Sequence, residues 1–225
     1  MSNREYALIV AGGRGTRIQS STPKQFIELA GKPILVHTIE AFIRYSPDIP
    51  IILVLPADDF LTWERIAKRF PLLKNIELQQ GGATRFASVK RGLEKIEGAG
   101  MVAIHDGVRP LVSTAIIRES FEVASKHGSA VASVSLKESI REGTLISSRS
   151  LDRSGFRLIQ TPQTFDVSLI RKAYELPDDP SLTDDASVAE RAGHSVTLFE
   201  GAYSNIKVTT PDDLVIAEAL INATL

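Results

Sequence analysis

The stretch Tyr6-Ala7-Leu8-Ile9-Val10, followed by AGGRGTR at residues 11–17, decides how this chain is read. The apolar run does not alternate with polar residues, as expected of a strand buried on both faces of a sheet. It leads directly into a loop with three glycines and two arginines. Glycines let backbone N–H groups approach an anion, and basic side chains neutralise its charge. Two common phosphate loops fail on spacing. The G-x-G-x-x-G pattern fits Gly13 and Gly15 but meets Ile18 at its third position, which disfavours a nicotinamide dehydrogenase. A G-x-x-x-x-G-K-[ST] loop counted from Gly12 meets Arg17 where its second glycine belongs, and no Lys-Ser pair follows. Two readings remain: a polyphosphate cradle, with Lys24 of Thr22-Pro23-Lys24-Gln25 adding to Arg14 and Arg17, or a tight turn.

Outward from this stretch, strand-like and helix-like patterns alternate. Apolar runs at residues 7–10, 51–55, 101–104 and 130–134 read as buried strands. Leu35, Ile39, Phe42 and Ile43 share one helical face, as do Phe86, Val89, Leu93 and Ile96, and again Leu214, Ala217 and Ile221. The alternation predicts an α/β fold with a mostly parallel sheet. Ligands in such folds sit beyond the carboxyl ends of the strands. The loops after Val10, Leu55, Gln80 and Ile104 are therefore the places to look.

The bulk numbers narrow the function classes. A chain of 225 residues with 43% hydrophobic content can bury one large core, and we read residues 1–225 as a single domain. A net charge of −1 argues against general binding to nucleic acid or membrane surfaces, so an anion site must be a local basic cluster. The absence of cysteine excludes disulfides, thiolate nucleophiles and cysteine metal sites. MSNREY lacks the apolar core of a signal peptide, and no apolar run approaches the ~18 residues of a membrane helix. The expectation is a cytoplasmic protein.

Several further stretches could carry chemistry. His105-Asp106-Gly107-Val108-Arg109-Pro110 follows a strand and offers either a ligand site or an Asp–Arg pair bracing a turn; His105 reads as structural. Gly81-Gly82-Ala83-Thr84-Arg85 enters a helix, with Thr84 a plain N-cap or its glycines open to a ligand. Thr183-Asp184-Asp185-Ala186 reads as a helix start, with Thr183 as cap and the acids in the first turn. In the run from Asn205 to Asp213, Thr210 reads as cap and Pro211 as the first helical residue, while Lys207 is not explained by capping. Residues 135–160 break the α/β pattern. They read as a protruding hairpin arm, turning at Glu142-Gly143-Thr144, that either packs on a second copy of the chain or is a surface excursion.

Taken together, A-G-G-x-G-x-R with PKQ, then HDGVRP, LDR with TPQ, TDDA, and NIKVTTPDDL resemble the 2-C-methyl-D-erythritol 4-phosphate cytidylyltransferase family along nearly the whole chain. A related family acts on ribitol 5-phosphate. Leu151-Asp152-Arg153 and Thr183-Asp184-Asp185-Ala186-Ser187 are more like the first. The resemblance implies a Rossmann-like nucleotidyltransferase fold, CTP and Mg²⁺, and a homodimer exchanging its arms. By the same resemblance Ala11, Gly12, Gly13 and Gly15 wrap the triphosphate, while Arg17, Lys24 and Lys207 stabilise charge during transfer. Gly82, Ala83 and Ser88 read base and ribose; Asp106 and Gly107 lie under the ribose, with Asp106 near the metal. Arg153 and Thr161 hold the polyol phosphate, helped by Ser139 and Arg109 from the partner subunit. Gly12 and Ala83 depart from residues common in the family, an alanine and an acid, and Ser139 stands where threonine is frequent. The loop from Arg14 to Lys24 is expected to order on CTP. A nucleotide-binding subunit without turnover is the alternative of another class, disfavoured by the presence of Arg17, Lys24, Asp106 and Lys207.

Overall fold

The structure is a computed structural model that describes residues 4–12 and 22–223. Its centre is a seven-stranded sheet built from β1 (Glu5–Val10), β4 (Ile51–Leu55), β5 (Glu77–Gln80), β6 (Met101–Asp106), β7 (Ser129–Ser135), β10 (Arg157–Asp166) and β11 (Leu198–Glu200). The strand order is β11-β7-β10-β6-β1-β4-β5. Only β10 runs antiparallel to its neighbours β6 and β7; the other described pairings in this sheet are parallel. Two short antiparallel pairs lie outside it: β2 (Glu28–Leu29) with β3 (Lys32–Pro33), and β8 (Ile140–Gly143) with β9 (Ser148–Leu151).

Period-two alternation divides the central strands between two cores. Ala7, Ile9, Leu53, Leu55 and Ala103 belong to one apolar cluster with residues of α1 (Ile34–Tyr45), α2 (Phe60–Arg69) and α4 (Thr114–His127). Leu8, Val10, Ile52, Val54, Val102 and Ile104 belong to the other, with α3 (Arg85–Leu93), α5 (Val167–Ala173) and α6 (Asp185–Arg191). The continuous apolar runs of the sequence follow from this: a strand covered by helices on both faces has no polar side to show. The last helix, α7 (Pro211–Asn222), packs on a small third cluster through Ala217, against Leu29, Ile34, Val108 and Val208.

The sequence reading and the fold agree on the strands at 7–10, 51–55 and 130–134 and on the caps of α3 and α7. Thr84 accepts from the Ala87 N–H at 3.0 Å, and Thr210 from that of Asp213 at 3.2 Å in a capping box opened by Pro211. Three details differ. β6 extends to Asp106, so this carboxylate ends a strand rather than lying in the loop after Ile104. The hairpin turns at residues 144–147, where the Thr144 N–H donates to the Ser147 carbonyl at 2.6 Å; Glu142 and Gly143 are paired in β8. The cap of α6 is Asp184, not Thr183: its side chain accepts from the Ser187 N–H at 3.0 Å, and the Ser187 hydroxyl closes the box. A carboxylate one residue nearer the helix reaches the free N–H groups that Thr183 does not.

Gly100 joins two parts of the sheet. Its φ is +150°, and a Cβ there would lie 2.0 Å from the Arg4 carbonyl oxygen at the entry to β1. Gly100→Ala is expected to lower the urea midpoint by an amount worth about 1–3 kcal/mol through backbone strain. An unchanged midpoint would show that the β1 entry can move aside.

Candidate active site

The carboxyl ends of the parallel strands gather the functional loops. The Ala11 N–H donates to Val54 at 3.0 Å, that of Gly81 to Leu55 at 2.8 Å, and that of Gly107 to Val10 at 2.9 Å, so the exits of β1, β4, β5 and β6 are stitched together. Gly107 allows a close approach. A Cβ on it would lie 2.7 Å from the Ala11 Cβ and 3.0 Å from Leu35. This contact seats Gly107 beside Ala11, at the start of the glycine loop.

Asp106 is the hub, buried at 7% exposure. Its Oδ2 lies 3.0 Å from Lys207 Nζ and 3.3 Å from Arg109 Nε, and its Oδ1 lies 3.9 Å from Arg85 Nε. Burial alone would push the Asp106 carboxyl up, but Lys207, Arg85 and Arg109 outweigh it and hold the carboxyl well below the usual carboxylate range. The Asp–Arg pair and the ligand-site reading of HDGVRP are therefore not exclusive, since the pair faces a cavity. Lys207 is an ion-pair partner of Asp106, not merely a solvated lysine.

Irregularity in β10 completes the hub. Its pairing with β7 shifts register between Ile159 and Gln163, and its pairing with β6 begins at Gln163. The freed Thr161 turns its hydroxyl to the Asp106 N–H at 3.1 Å, as a sheet irregularity beside a site commonly re-aims a side chain. Asn205, fully buried, donates to the Thr161 carbonyl at 2.8 Å, and its own carbonyl accepts from Arg109 at 2.8 Å. The segment carrying Lys207 is thereby tied to both Thr161 and Arg109.

Two cavities meet at this cluster. The larger, about 270 Å³, is lined by Thr161, Gln160, Thr183, Asp184 and Arg109 together with Arg85, Asp106 and Lys207. The smaller, about 70 Å³, is lined by Ala11, Gly12, Lys24 and Val108 with the same three residues. Arg85, Asp106 and Lys207 are thus a common wall. Ala11, Gly12, Lys24, Asp106, Lys207 and Thr161 come together as the sequence implied, whereas Gly13, Gly15, Arg14, Arg17 and most of the 14–24 loop lie outside the described residues.

Other expected site residues stand apart or are otherwise engaged. The Ser88 hydroxyl accepts from the Gly82 N–H at 3.1 Å and donates to the Thr84 carbonyl at 2.9 Å, which braces the loop carrying Gly82 and Ala83. Arg109, expected from a partner subunit, is buried on the wall of its own chain's cavity. Ser139 and Arg153 are exposed on the arm and do not line that cavity; Arg153 donates to the Lys137 carbonyl. Arg85 and Asp185 were missed. Asp185, read as a first-turn acid, is fully buried and pairs with Arg85 at 2.6 Å. A carboxylate beside an Asp cap gave no local sign of a partner 100 residues away.

Residues 6–223 match the profile of the family described as 2-C-methyl-D-erythritol 4-phosphate cytidylyltransferase. The chain belongs to this family. A relative of that name from Bacteroides thetaiotaomicron is 43% identical over 97% of this chain and all of its own length. One from Bacteroides fragilis is 44% identical over 96% of this chain and 98% of its own. Among solved structures, the 4-diphosphocytidyl-2C-methyl-D-erythritol synthase of Anaerococcus prevotii superposes with a TM-score of 0.84 at 29% identity, covering 98% of this chain and 96% of the other. The Francisella tularensis enzyme of the family superposes with a TM-score of 0.80 at 29% identity, covering 99% and 100%. The family is one of nucleotidyltransferase enzymes, so the reading as a subunit without turnover is set aside.

A protein-held magnesium does not fit the residues described. No three His, Cys, Asp or Glu side chains converge among them, and Asp106 is already surrounded by Lys207, Arg109 and Arg85. Magnesium bound chiefly by protein asks for oxygen ligands free to face it.

His105 is the buried neighbour of this cluster. Burial, with Arg109 and Lys207 adding to it against the pull of Asp106, lowers its pKa to about 3, and its ring packs edge-on to Phe42 at 5.2 Å. The neutral ring therefore contributes stability that is complete above its unfolded value of about 6.5 and is lost as pH falls toward 3. Urea unfolding of the wild type is expected to weaken over that window, and His105→Phe to flatten part of the decline. Parallel pH curves for the two proteins would contradict a neutral buried His105.

Proposed function

We propose that this chain transfers the CMP moiety of CTP to 2-C-methyl-D-erythritol 4-phosphate, giving 4-diphosphocytidyl-2-C-methyl-D-erythritol and pyrophosphate. The observation that carries this reading is the common wall of Arg85, Asp106 and Lys207 between a cavity at the glycine loop and a cavity at Thr161. One side suits a nucleotide triphosphate and the other a second phosphate ester. The acceptor is taken from the names of the relatives and structural neighbours.

The chemistry needs no general base and no covalent residue. A phosphate oxygen of the acceptor, already anionic, attacks the α-phosphorus. The new P–O bond forms as the bond to the β-phosphate bridging oxygen breaks, and pyrophosphate leaves with that electron pair. What remains is to hold the groups in line and to neutralise charge at the α-phosphate and the leaving group. Lys24 does this from the nucleotide side and Lys207 from the wall between the sites, with Arg17 assigned by the family resemblance. Mg²⁺ would enter with the triphosphate, neutralising part of its charge. Both substrates are water-soluble anions, and the reading places the enzyme in the cytoplasm.

The test is pyrophosphate release with CTP and Mg²⁺, offering methylerythritol phosphate and ribitol 5-phosphate separately. Turnover of the first is expected, and Lys207→Ala should lower kcat by about 10²-fold or more, as for other preorganised charge stabilisers. Turnover of ribitol phosphate alone would overturn the acceptor, and release with neither would overturn the reaction.

The hairpin arm supports a dimer within this reading. Leu145 and Ile146 at its tip are 106% and 98% exposed, and the residues of β8 and β9 are mostly exposed. The arm also carries Ser139 and Arg153, which their own cavity does not use. Seated on a second copy, the tip would bury its apolar side chains and bring those residues to the partner's site. Leu145→Asp with Ile146→Asp is expected to shift the protein from dimer to monomer in analytical ultracentrifugation and to reduce turnover. A wild-type monomer at working concentration with full activity would refute the exchange.

A further inference from the structure

Asp185 is an expensive residue to place where it is. It is fully buried, and burying a carboxylate is unfavourable unless its partners are well arranged. Both of its oxygens are used. Arg85 donates from Nη1 to Oδ1 at 2.9 Å and from Nη2 to Oδ2 at 2.6 Å, and the Tyr174 hydroxyl donates to Oδ1 at 2.6 Å. Tyr174 is itself buried, with its ring 4.6 Å from that of Phe86, one residue beyond Arg85. Capping does not account for this arrangement, because Asp184 already caps α6 and forms the box with Ser187. A fork-on-fork pair fixes the plane of a guanidinium, which a point contact would not do.

That plane matters because of what lies on the other edge of Arg85. With both Nη atoms engaged on Asp185, Nε faces Asp106 Oδ1 at 3.9 Å, while Lys207 and Arg109 share Oδ2. Arg85 also lines both cavities. At this separation Arg85 attracts Asp106 without a hydrogen bond and leaves Lys207 its 3.0 Å contact. Lys207 is then held in place but is not captured by an undivided carboxylate, and it can turn to an arriving phosphate.

We infer that Asp185, braced by Tyr174, is a positioning residue for the transfer, acting through Arg85 to set how firmly Asp106 retains Lys207. This rests on the cytidylyl-transfer reading above. With Asp185 neutralised, the fork releases and Arg85 is free to close on Asp106 or swing into a cavity. Either movement alters the geometry around Lys207.

The experiment compares wild type, Asp185→Asn, Tyr174→Phe, Arg85→Met and the double variant Arg85→Met/Asp185→Leu. Pyrophosphate release is measured for each at a temperature where circular dichroism shows it folded. Asp185→Asn is expected to lower kcat by about tenfold or more, in line with the cost of small misplacements at a reacting centre. The double variant removes both charges of the pair and so leaves no buried carboxylate unpaired. Its kcat should be no lower than that of Arg85→Met, because Asp185 has no route to the site once Arg85 is gone. If Asp185→Asn does not fold, Tyr174→Phe takes its place, since it keeps the ion pair and removes one donor; its kcat should still fall. Wild-type kcat and KM in the folded variants, with only the unfolding midpoint changed, would make the pair a structural strut and overturn the inference. So would additive losses in the double variant. A wild type that releases no pyrophosphate would instead overturn the underlying function.

Discussion

One buried carboxylate organises this molecule. Asp106 ends a central strand where water is largely excluded, and it stays ionised because Lys207, Arg109 and Arg85 surround it. Each of these cations comes from a different part of the chain. Removing one of them would leave Asp106 with fewer partners to offset the cost of its burial. The fold therefore has to bring the start of α3, the loop after β6 and the segment before α7 to one point. The irregularity in β10 and the hydrogen bonds of Asn205 serve that convergence.

The parallel sheet explains why convergence happens at this edge. Parallel strands all leave the sheet at the same end, and their exits supply loops and helix N-termini with unpaired N–H groups. Here the exits of β1, β4, β5 and β6 are hydrogen-bonded into one rim. The antiparallel β10 inserts between β6 and β7 and brings Thr161 to the same rim from the opposite direction. Two cavities separated by a shared charged wall follow from this topology. That is the arrangement a transfer between two phosphate-bearing molecules requires.

Much of the fold was legible because it depends on short-range physics. Buried strands announce themselves as unbroken apolar runs, and amphipathic helices as a repeat of 3.6 residues. Thr84 and Thr210 are caps because hydroxyl and N–H meet within one turn. Where the reading slipped, the competing choices were also local. Thr183 and Asp184 both make good caps, and the side chain that reaches the Ser187 N–H decides between them. Gly143 suggested a turn, yet it pairs with Ser148 with a φ of +133°, a conformation glycine tolerates, and the chain reverses at the next residues. The strand β10 was hidden because Gln160, Thr161 and Gln163 are polar and serve the site.

By itself the sequence determined the alternation of strands and helices, the glycine loop at the first strand exit, the hairpin, and through its motifs the family. These are properties of neighbouring residues, whose spacing fixes which face they share. Only the tertiary structure decided that Lys207 belongs to Asp106, that Arg109 lines its own chain's cavity, and that Asp185 is an ion-pair partner of Arg85 rather than a first-turn acid. Those pairings join segments about 100 residues apart, and no local pattern encodes them. They exist because burial leaves a charged group no alternative to finding its opposite, and only the packed chain determines which opposite is within reach.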